Sequence, residues 1–501
     1  MIDIGDRHAG TAGGALKLGG QPVSVELRLG HDANCAAVQH TTWMLLNILC
    51  RLEGAAARIR LNCPAGVDAV PRLSPLIGEN GVLLDCLLAG VHAIGTPADG
   101  FVPVETASEG KASDLVIGIG FDFCPEAAFC AVGNGFCGGV FSRPIVAPGN
   151  MSNATIGPYI AASLAAGEIF RLVRLIDYRP ERQLFLTALN YSHGEDPEWS
   201  DLDLSDELRS VLLVGVGAVG CALLHTLYPL SVAGTILIAD NDAKGVDRTN
   251  LGRYSLFGTA SVGKQKASEA AELLCAAKFQ AIPHDGSFEH FFSPEQKPEI
   301  VLSAVDTNES RHALMEQYSP LFFSASTHNL RAELLRCGPP SVGACLACFN
   351  PLQQNRYSEE DIRALLNEKP EMIATLCEKL HLDAREAALW IREGKCSQTG
   401  ERLIEELRTE DGSLPAFAVG FVSVLAGTLL ASELLKTVAH FPDPLDEKRN
   451  RAVFQFQNPS AASNRAHFYS RDERCTACSQ DNAGARIWKQ RYERFGNANN
   501  R

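Results

Sequence analysis

The chain has 501 residues, 46% hydrophobic and 21% charged, an ordinary globular composition long enough for roughly two to four domain cores. Its 45 basic residues against 59 acidic ones give a formal charge of −14, which argues against a broad nucleic-acid or anionic-membrane surface, so neither partner is expected. The opening MIDIGDRHAG lacks a basic segment followed by an apolar run, so no secretory signal is expected, and 16 scattered cysteines in such a chain favour a reducing cytoplasm, mostly buried thiols and room for a metal site.

In chain order, Val23–Leu29 predicts a strand, His31–Leu52 a helix and Ala57–Leu61 a second strand, a β-α-β order that favours a parallel sheet. Leu115–Phe121 predicts another strand, and a helix is expected from about Gly157 to Leu175. The acidic, loop-like segment Tyr191–Glu207 reads as a boundary. The plan then repeats. Ser210–Val214 is a strand, VGVGAVG a glycine-rich turn and Ala218–Leu227 a helix. Thr235–Ala239 is a strand ending at Asp240, Ile300–Val305 a strand ending at Asp306, and Phe322–Ala325 a further strand. The uncharged stretch Pro415–Ser432 is marginal for a membrane span and reads better as a buried helix.

Ala161–Arg171 aligns without gaps on Ala426–Lys436, which places Glu168 on Glu433 and Arg171 on Lys436. Such self-similarity suggests two related halves. The expected fold is α/β with two Rossmann-like, doubly wound lobes. Residues 1–195 form a degenerate first lobe, residues 196–350 and 410–501 an active second lobe, and residues 351–409 a helical insert. The halves differ at the first turn, where Gly215, Gly217 and Gly220 of the second stand against Gly30-His31-Asp32 of the first. Without those glycines a backbone approaches a phosphate less closely.

G-x-G-x-x-G after a strand and opening a helix is a phosphate-binding design, and Asp240 at the end of the next strand can accept from a ribose. By itself this suits a nicotinamide or flavin cofactor. Asn250, Arg253, Lys264 and Lys266 follow closely, and several cations suit triphosphate chemistry, in which pyrophosphate leaves with negative charge. Asp306, at the carboxyl end of a later strand, could hold Mg²⁺. Asp242 and Asp247 could equally cap turns, and Lys264 reads as a solvated charge.

The runs VLLVGVGAVG, ADND, RTNLGRY, VGKQKA and SAVDTNESR resemble the adenylation domain of ubiquitin-activating enzymes. They are also similar to the sulfur-carrier adenylyltransferases of thiamine and molybdopterin synthesis, the ThiF and MoeB type. The resemblance spans about residues 208–349 and resumes at 415–436. It implies ATP and Mg²⁺ as cofactors, with Asp240 on the ribose, Asp242 in the cofactor-binding set, phosphate contacts by Asn250, Arg253 and Lys266, and magnesium on Asp306. The sequence departs at Gly252-Arg253-Tyr254, where the family usually carries a polar residue before the arginine and glutamine after it. In two-lobed relatives the inactive lobe can lend an arginine, which the sequence does not place.

Cys345-x-x-Cys348 and Cys475-x-x-Cys478 together have the composition of a closed structural Zn²⁺ site, and the family carries a paired-knuckle zinc site at this place. Cys396 follows Arg392 and Lys395 in a polar turn, and adjacent cations lower a thiol pKa. The family's thioester cysteine lies in an insertion between the knuckles, which makes Cys396 the candidate nucleophile, whereas Cys377, beside Leu376 and Leu380, reads as core.

The expected activity is adenylation of the C-terminal carboxylate of a ubiquitin-like protein ending in glycine. A thioester on Cys396 and transfer to a conjugating enzyme then follow, as in the activating enzymes of bacterial ubiquitin-like conjugation operons. The tail 480–501 is too short for a C-terminal ubiquitin-fold domain. A sulfur-carrier adenylyltransferase, a dinucleotide-dependent oxidoreductase and a non-enzymatic scaffold remain as alternatives.

Overall fold

The structure is a computed structural model in which residues 21–78, 81–108, 112–174, 183–193, 197, 199–293, 297–328, 330–338, 343–352, 359–368, 370–393, 399–400, 402–403, 419–442, 445, 448–460, 464–479 and 482–499 are described. The chain separates into two units, residues 1–350 with 417–501, and residues 351–416.

The larger unit is built on two sheets. In the first lobe the order is β1 (Val23–Leu29), α1 (Ala36–Cys50), β2 (Ala56–Asn62), α2 (Leu83–Ile94), β3 (Val104–Thr106), β4 (Leu115–Ile119), β5 (Phe129–Asn134), β6 (Cys137–Phe141), α3 (Ile156–Arg174) and β7 (Gln183–Thr187). The second lobe continues with β8 (Leu208–Val214), α4 (Ala218–Leu227), β9 (Gly234–Asp240), α5 (Lys266–Leu273), β10 (Phe279–Asp285), β11 (Ile300–Ser303), α6 (Asn308–Met315), β12 (Leu321–His328), β13 (Arg331–Cys337) and α7 (Leu346–Phe349). The insert supplies α8 (Glu359–Glu368), α9 (Pro370–Leu380) and α10 (Ala384–Glu393), after which α11 (Gly420–Val438), β14 (Arg451–Gln455), β15 (Ala466–His467) and α12 (Ala483–Asn499) complete the second lobe.

Both sheets have one topology. The first runs β3-β2-β1-β4-β5-β6-β7 and the second β10-β9-β8-β11-β12-β13-β14-β15. In each, five strands are parallel and the following ones antiparallel. These are the two parallel-rich, doubly wound lobes expected from the sequence. Register makes the correspondence residue by residue. Leu29 pairs with Ile119 as Val214 pairs with Ser303. Counting on from those pairs, Gly30 stands where Gly215 does, Asp32 where Gly217 does, and Asp122 where Asp306 does.

The helices α1 and α3 pack together, α4 packs on α11, and α3 packs on α11, so these four helices join the lobes. Buried on nearly every side, they are mainly apolar rather than amphipathic, with a few buried polar residues. Their close approach depends on small residues: a Cβ on Gly427 would lie 2.5 Å from Val219 O. The helices α3 and α11 are long and apolar enough to cross a membrane, yet 94% and 89% of their apolar windows are buried, as in core helices.

Several sequence-based boundaries shift. The first helix starts at Ala36 rather than His31, because Gly30–Asn34 forms a turn closed by Ala33 N donating to Gly30 O at 3.2 Å. The strand expected to reach Phe121 ends at Ile119, since the Phe121 N–H is taken by Asp32. Cys275, against the expectation of mostly buried thiols, is exposed in the turn that follows α5. In the insert, Ile362, Leu366, Cys377, Trp390, Ile391 and Leu403 form a separate small core.

Candidate functional site

The strand β8 delivers the chain into a turn whose geometry needs glycine. Gly215 has φ +95°, and a Cβ there would lie 2.7 Å from Ala304 O at the exit of β11. A Cβ on Gly220 would collide with Gly215 O. Gly217 is the N-cap of α4 and has no side chain to satisfy the first-turn N–H groups, so they remain available to an anion. Asp240, at the end of β9, accepts from Val216 N at 2.7 Å and from Asp242 N at 3.0 Å, which fixes its carboxylate beside this turn.

Lys266 opens α5, with a side chain only 7% exposed. Its Nζ lies 2.6 Å from Asp242 Oδ2 and 5.6 Å from the Tyr254 ring centroid. Burial alone would lower its pKa, but Asp242, with Tyr254 and Asp240, raises it above the usual lysine value. The reciprocal hydrogen bond from Lys266 is the main reason Asp242 is held below the usual carboxylate range. The Arg253 guanidinium lies 5.8 Å from the same ring, so Tyr254 carries two cations on one buried aromatic.

The remaining sequence-selected residues are placed as follows. Asn250 closes a capping box, its Oδ1 accepting from Asp247 N at 3.0 Å while Asp247 accepts from Thr249 N at 2.8 Å. Asp247 is thus a cap. Lys264 is exposed and pairs with Glu269 at 2.7 Å. Asp306 is exposed just beyond β11, whose exit touches the Gly215 turn, and it precedes Thr307, the N-cap of α6. Gly215, Gly217, Gly220, Asp240, Asp242, Arg253 and Lys266 therefore gather around the carboxyl ends of β8 and β9, where doubly wound sheets bind ligands.

The equivalent place in the first lobe is filled by acids. Asp32, in the position of Gly217, accepts from Phe121 N at 2.6 Å, and Asp122 accepts from His31 N at 2.8 Å. Burial raises the Asp32 pKa. The two carboxylates occupy the turn with oxygen acceptors, which repels a phosphate. The sequence names Asp32 in the first-lobe turn but does not show that its carboxylate fills the place of Gly217, and Tyr254 stands out there only as a departure.

Cys345, Cys348, Cys475 and Cys478 converge, all four sulfurs lying within 4.8 Å of one another. The Cys345–Cys348 and Cys345–Cys475 separations are both 3.7 Å and Cys348–Cys478 is 3.3 Å. Tetrahedral Zn–S bonds of about 2.3 Å require sulfur separations of roughly 3.8 Å, so the donor set fits zinc. Backbone N–H groups of Cys348, Asp472 and Ala477 point at sulfurs at 3.4 Å each, which stabilises thiolates. Cys396 lies outside the described residues. Cys377 is buried in the insert core, and burial pushes its thiol pKa up.

The ThiF family profile matches residues 200–477. The adenylyltransferase and sulfurtransferase UBA4 of Candida glabrata is 31% identical over 155 residues, covering 30% of this chain and 35% of that protein. The uncharacterized protein y4jF of Sinorhizobium fredii is 24% identical over 325 residues, covering 58% of this chain and 62% of its own length. The SUMO-activating enzyme subunit uba-2 of Caenorhabditis elegans is 30% identical over 121 residues, covering 23% of this chain and 20% of that protein. The crystal structure of E. coli MccB with MccA-N7isoASN is 16% identical at a TM-score of 0.36, covering 55% of this chain and 67% of that one. The chain spans less than two thirds of the length of these curated relatives. With more than half of its residues inside the family profile, the chain belongs to the ThiF family.

Proposed function

We propose that this chain uses ATP and Mg²⁺ to adenylate the C-terminal carboxylate of a ubiquitin-like protein, and that it then carries the acyl group as a thioester on Cys396 for a conjugating enzyme. The observation that carries the reading is Lys266, a buried ammonium held beside Asp240 and the glycine turn with Arg253 on the same Tyr254 ring. Hydride transfer has no use for this concentration of positive charge, whereas departure of pyrophosphate does. The names of the UBA4 and uba-2 relatives, an adenylyltransferase and an activating-enzyme subunit, support the same chemistry.

In this reading the ribose hydroxyls bond Asp240, whose oxygens retain lone pairs beyond those used by Val216 N and Asp242 N. The phosphates lie at the N-terminus of α4, with Asn250, Arg253 and Lys266 as their contacts, and Lys266 exchanges Asp242 for a phosphate oxygen. Asp306, a hard oxygen donor, would hold Mg²⁺, which supplies further neutralisation of the triphosphate. The attacking carboxylate is already ionised, so no base is needed. Its oxygen bonds the α-phosphorus, the bond to the β-phosphate bridge breaks, and pyrophosphate carries the electron pair away. The Cys396 thiolate then attacks the acyl carbon and expels AMP. The Cys345, Cys348, Cys475 and Cys478 thiolates would hold a structural zinc, which supplies a cross-link and no chemistry.

A sulfur-carrier adenylyltransferase is the second reading, favoured by the name of the UBA4 relative. Incubation with ATP, Mg²⁺ and a panel of small proteins ending in glycine separates the two. A thiol-labile adduct that disappears in Cys396→Ala while the acyl-adenylate still forms supports the thioester. An adduct that survives in Cys396→Ala removes Cys396, and an acyl-disulfide in place of a thioester selects sulfur transfer.

A further inference from the structure

Arg51 follows α1 in the first lobe and is only 3% exposed. Among the described residues it pairs with no carboxylate. Its guanidinium donates to Asn47 Oδ1 at 2.8 Å, to Phe257 O at 2.8 Å and to Leu251 O. Asn47 donates in turn to Ser255 O at 2.9 Å. Ser255 O also bonds His225 Nδ1 at 3.0 Å, and His225 Nε2 bonds Trp43 Nε1 at 3.0 Å. Side chains of α1 and its cap residue therefore hold the carbonyls of Leu251, Ser255 and Phe257, all of which belong to the second lobe. These carbonyls bracket Arg253 and Tyr254.

The rest of this loop is also backed by the first lobe. Arg248 pairs with Asp99 at 3.0 Å, and Gly258 has no room for a Cβ because Ala93 O stands in its place. Within the loop, local bonds hold the backbone, with Arg253 N donating to Asn250 O at 3.0 Å and Tyr254 N to the same oxygen at 3.1 Å. A planar guanidinium fixes the directions of its donors, so two carbonyls gripped by one fork cannot move independently. A buried cation without a carboxylate depends on those carbonyls for solvation, and displacing the loop would strand it.

We propose that Arg51, together with Asn47, is a positioning residue of the nucleotide site: from the lobe whose own turn is filled by Asp32, it fixes the 251–257 backbone that presents Arg253 and Tyr254. The proposal rests on the ATP reading of that site. Each of the three Arg51 nitrogens donates to a main-chain or Asn47 oxygen, so the proposed role is to hold the loop and not to contact the ligand. The first lobe is then a working part of the site and not only a packing partner.

The test is titration of the full chain with ATP–Mg²⁺ and, in parallel, with adenosine, in wild type, Arg51→Met, Arg51→Lys and Arg171→Met. Arg171 is the control because it is another buried cation that bonds across the lobes, to Phe456 O at 3.2 Å, away from the 251–257 loop. Arg51→Met should weaken ATP about tenfold while leaving adenosine within about twofold. Arg51→Lys, which keeps the charge but loses the fork, should fall between. Arg171→Met should lower the melting temperature and leave ATP affinity within about twofold. Amide exchange of residues 251–257 without nucleotide should accelerate in Arg51→Met and Arg51→Lys but not in Arg171→Met. Unchanged ATP affinity in both Arg51 variants, a parallel fall for adenosine, or an equal loss in Arg171→Met overturns the proposal. If wild type binds no ATP, the ATP reading fails, and the exchange arm alone decides whether Arg51 holds the loop.

Discussion

Lys266 and Asp242 form an ion pair with one buried and one half-exposed partner, at 7% and 41% side-chain exposure. The ammonium is thus kept charged and oriented by a carboxylate that water can take over, as the proposed exchange of Asp242 for a phosphate oxygen requires. An exposed partner is easily released, which suits a site that must open for its ligand. Lys266→Met replaces the stem with a similar apolar volume and leaves Asp242 to solvent, so folding should change little. The affinity for ATP should fall by roughly 10- to 100-fold, the loss of a charge-assisted contact. Calorimetric titration reads this directly, and an unaltered affinity in Lys266→Met would remove the lysine from the phosphate contacts. At this scale chemistry and spacing in the sequence singled out Gly215, Asp240 and Lys266, which the structure brings together at the ends of β8 and β9. The sequence was silent on Arg51, whose role lies in backbone carbonyls some 200 positions away, at sequence separations of 200 and 206.

Most of the parallel strands could be read in advance, though not β3, β5 or β10. β1, β4, β8, β9 and β11 carry mainly apolar runs because both faces of a central parallel strand are covered. The unread ones include β6, whose sequence CGGVF is glycine-rich because α3 crosses it closely: a Cβ on Gly138 would meet Gly157 O. β13 and β14 contain charged residues and were hidden for the opposite reason; Glu333 of β13 and Arg451 of β14 satisfy each other across the pair. The cysteine cluster was legible from spacing, but its consequence for α12 was not. That helix, Ala483–Asn499, comes after Cys478 in the chain and is anchored by Trp488 Nε1 on Pro320 O at 3.1 Å and by Arg491 on Tyr318 O at 3.0 Å. The cluster links positions 130 residues apart, so a bound metal constrains a long loop. Purified protein should contain one zinc per chain by elemental analysis, and chelation or Cys475→Ser should lower the melting temperature by on the order of 10 °C. Metal-free protein with an unshifted transition would contradict a structural site.

Across the whole molecule the lobes exchange matched contacts. Arg171 pairs with Glu168 at 3.1 Å and donates to Phe456 O, the residue after β14. Lys436 pairs with Glu433 and donates to Ala188 O at 2.8 Å, the residue after β7. The duplicated Glu–cation pair visible in the sequence is thus a reciprocal clasp, each cation reaching the end of a strand in the other lobe. Two buried histidines sit in the same seam. Burial, with the charge of Arg72, pushes His40 from 6.5 to about 4. Burial, with Arg51 and His40 adding to it, pushes His225 from 6.5 to about 3 against the opposing bond from Ser255. Both are more readily protonated in the unfolded chain, so their contribution is complete above pH 6.5 and is lost as pH falls toward 4 and 3. Each should remove up to about 1.4 kcal/mol per pH unit within that window. Urea unfolding at pH 7.5, 6.5 and 5.5 should show stability flat over the first interval and falling over the second; a flat profile throughout would place these rings in contact with water.

The central proposal is that the residues around the Gly215 turn spend ATP on a protein carboxylate. The most direct measurement is exchange of labelled pyrophosphate into ATP, with Mg²⁺ and each of a panel of small proteins ending in glycine. Exchange that requires such a protein, and that is lost in Lys266→Met, is the expected result. No exchange with any of them, alongside NAD binding at the Gly215–Gly220 turn, would contradict it.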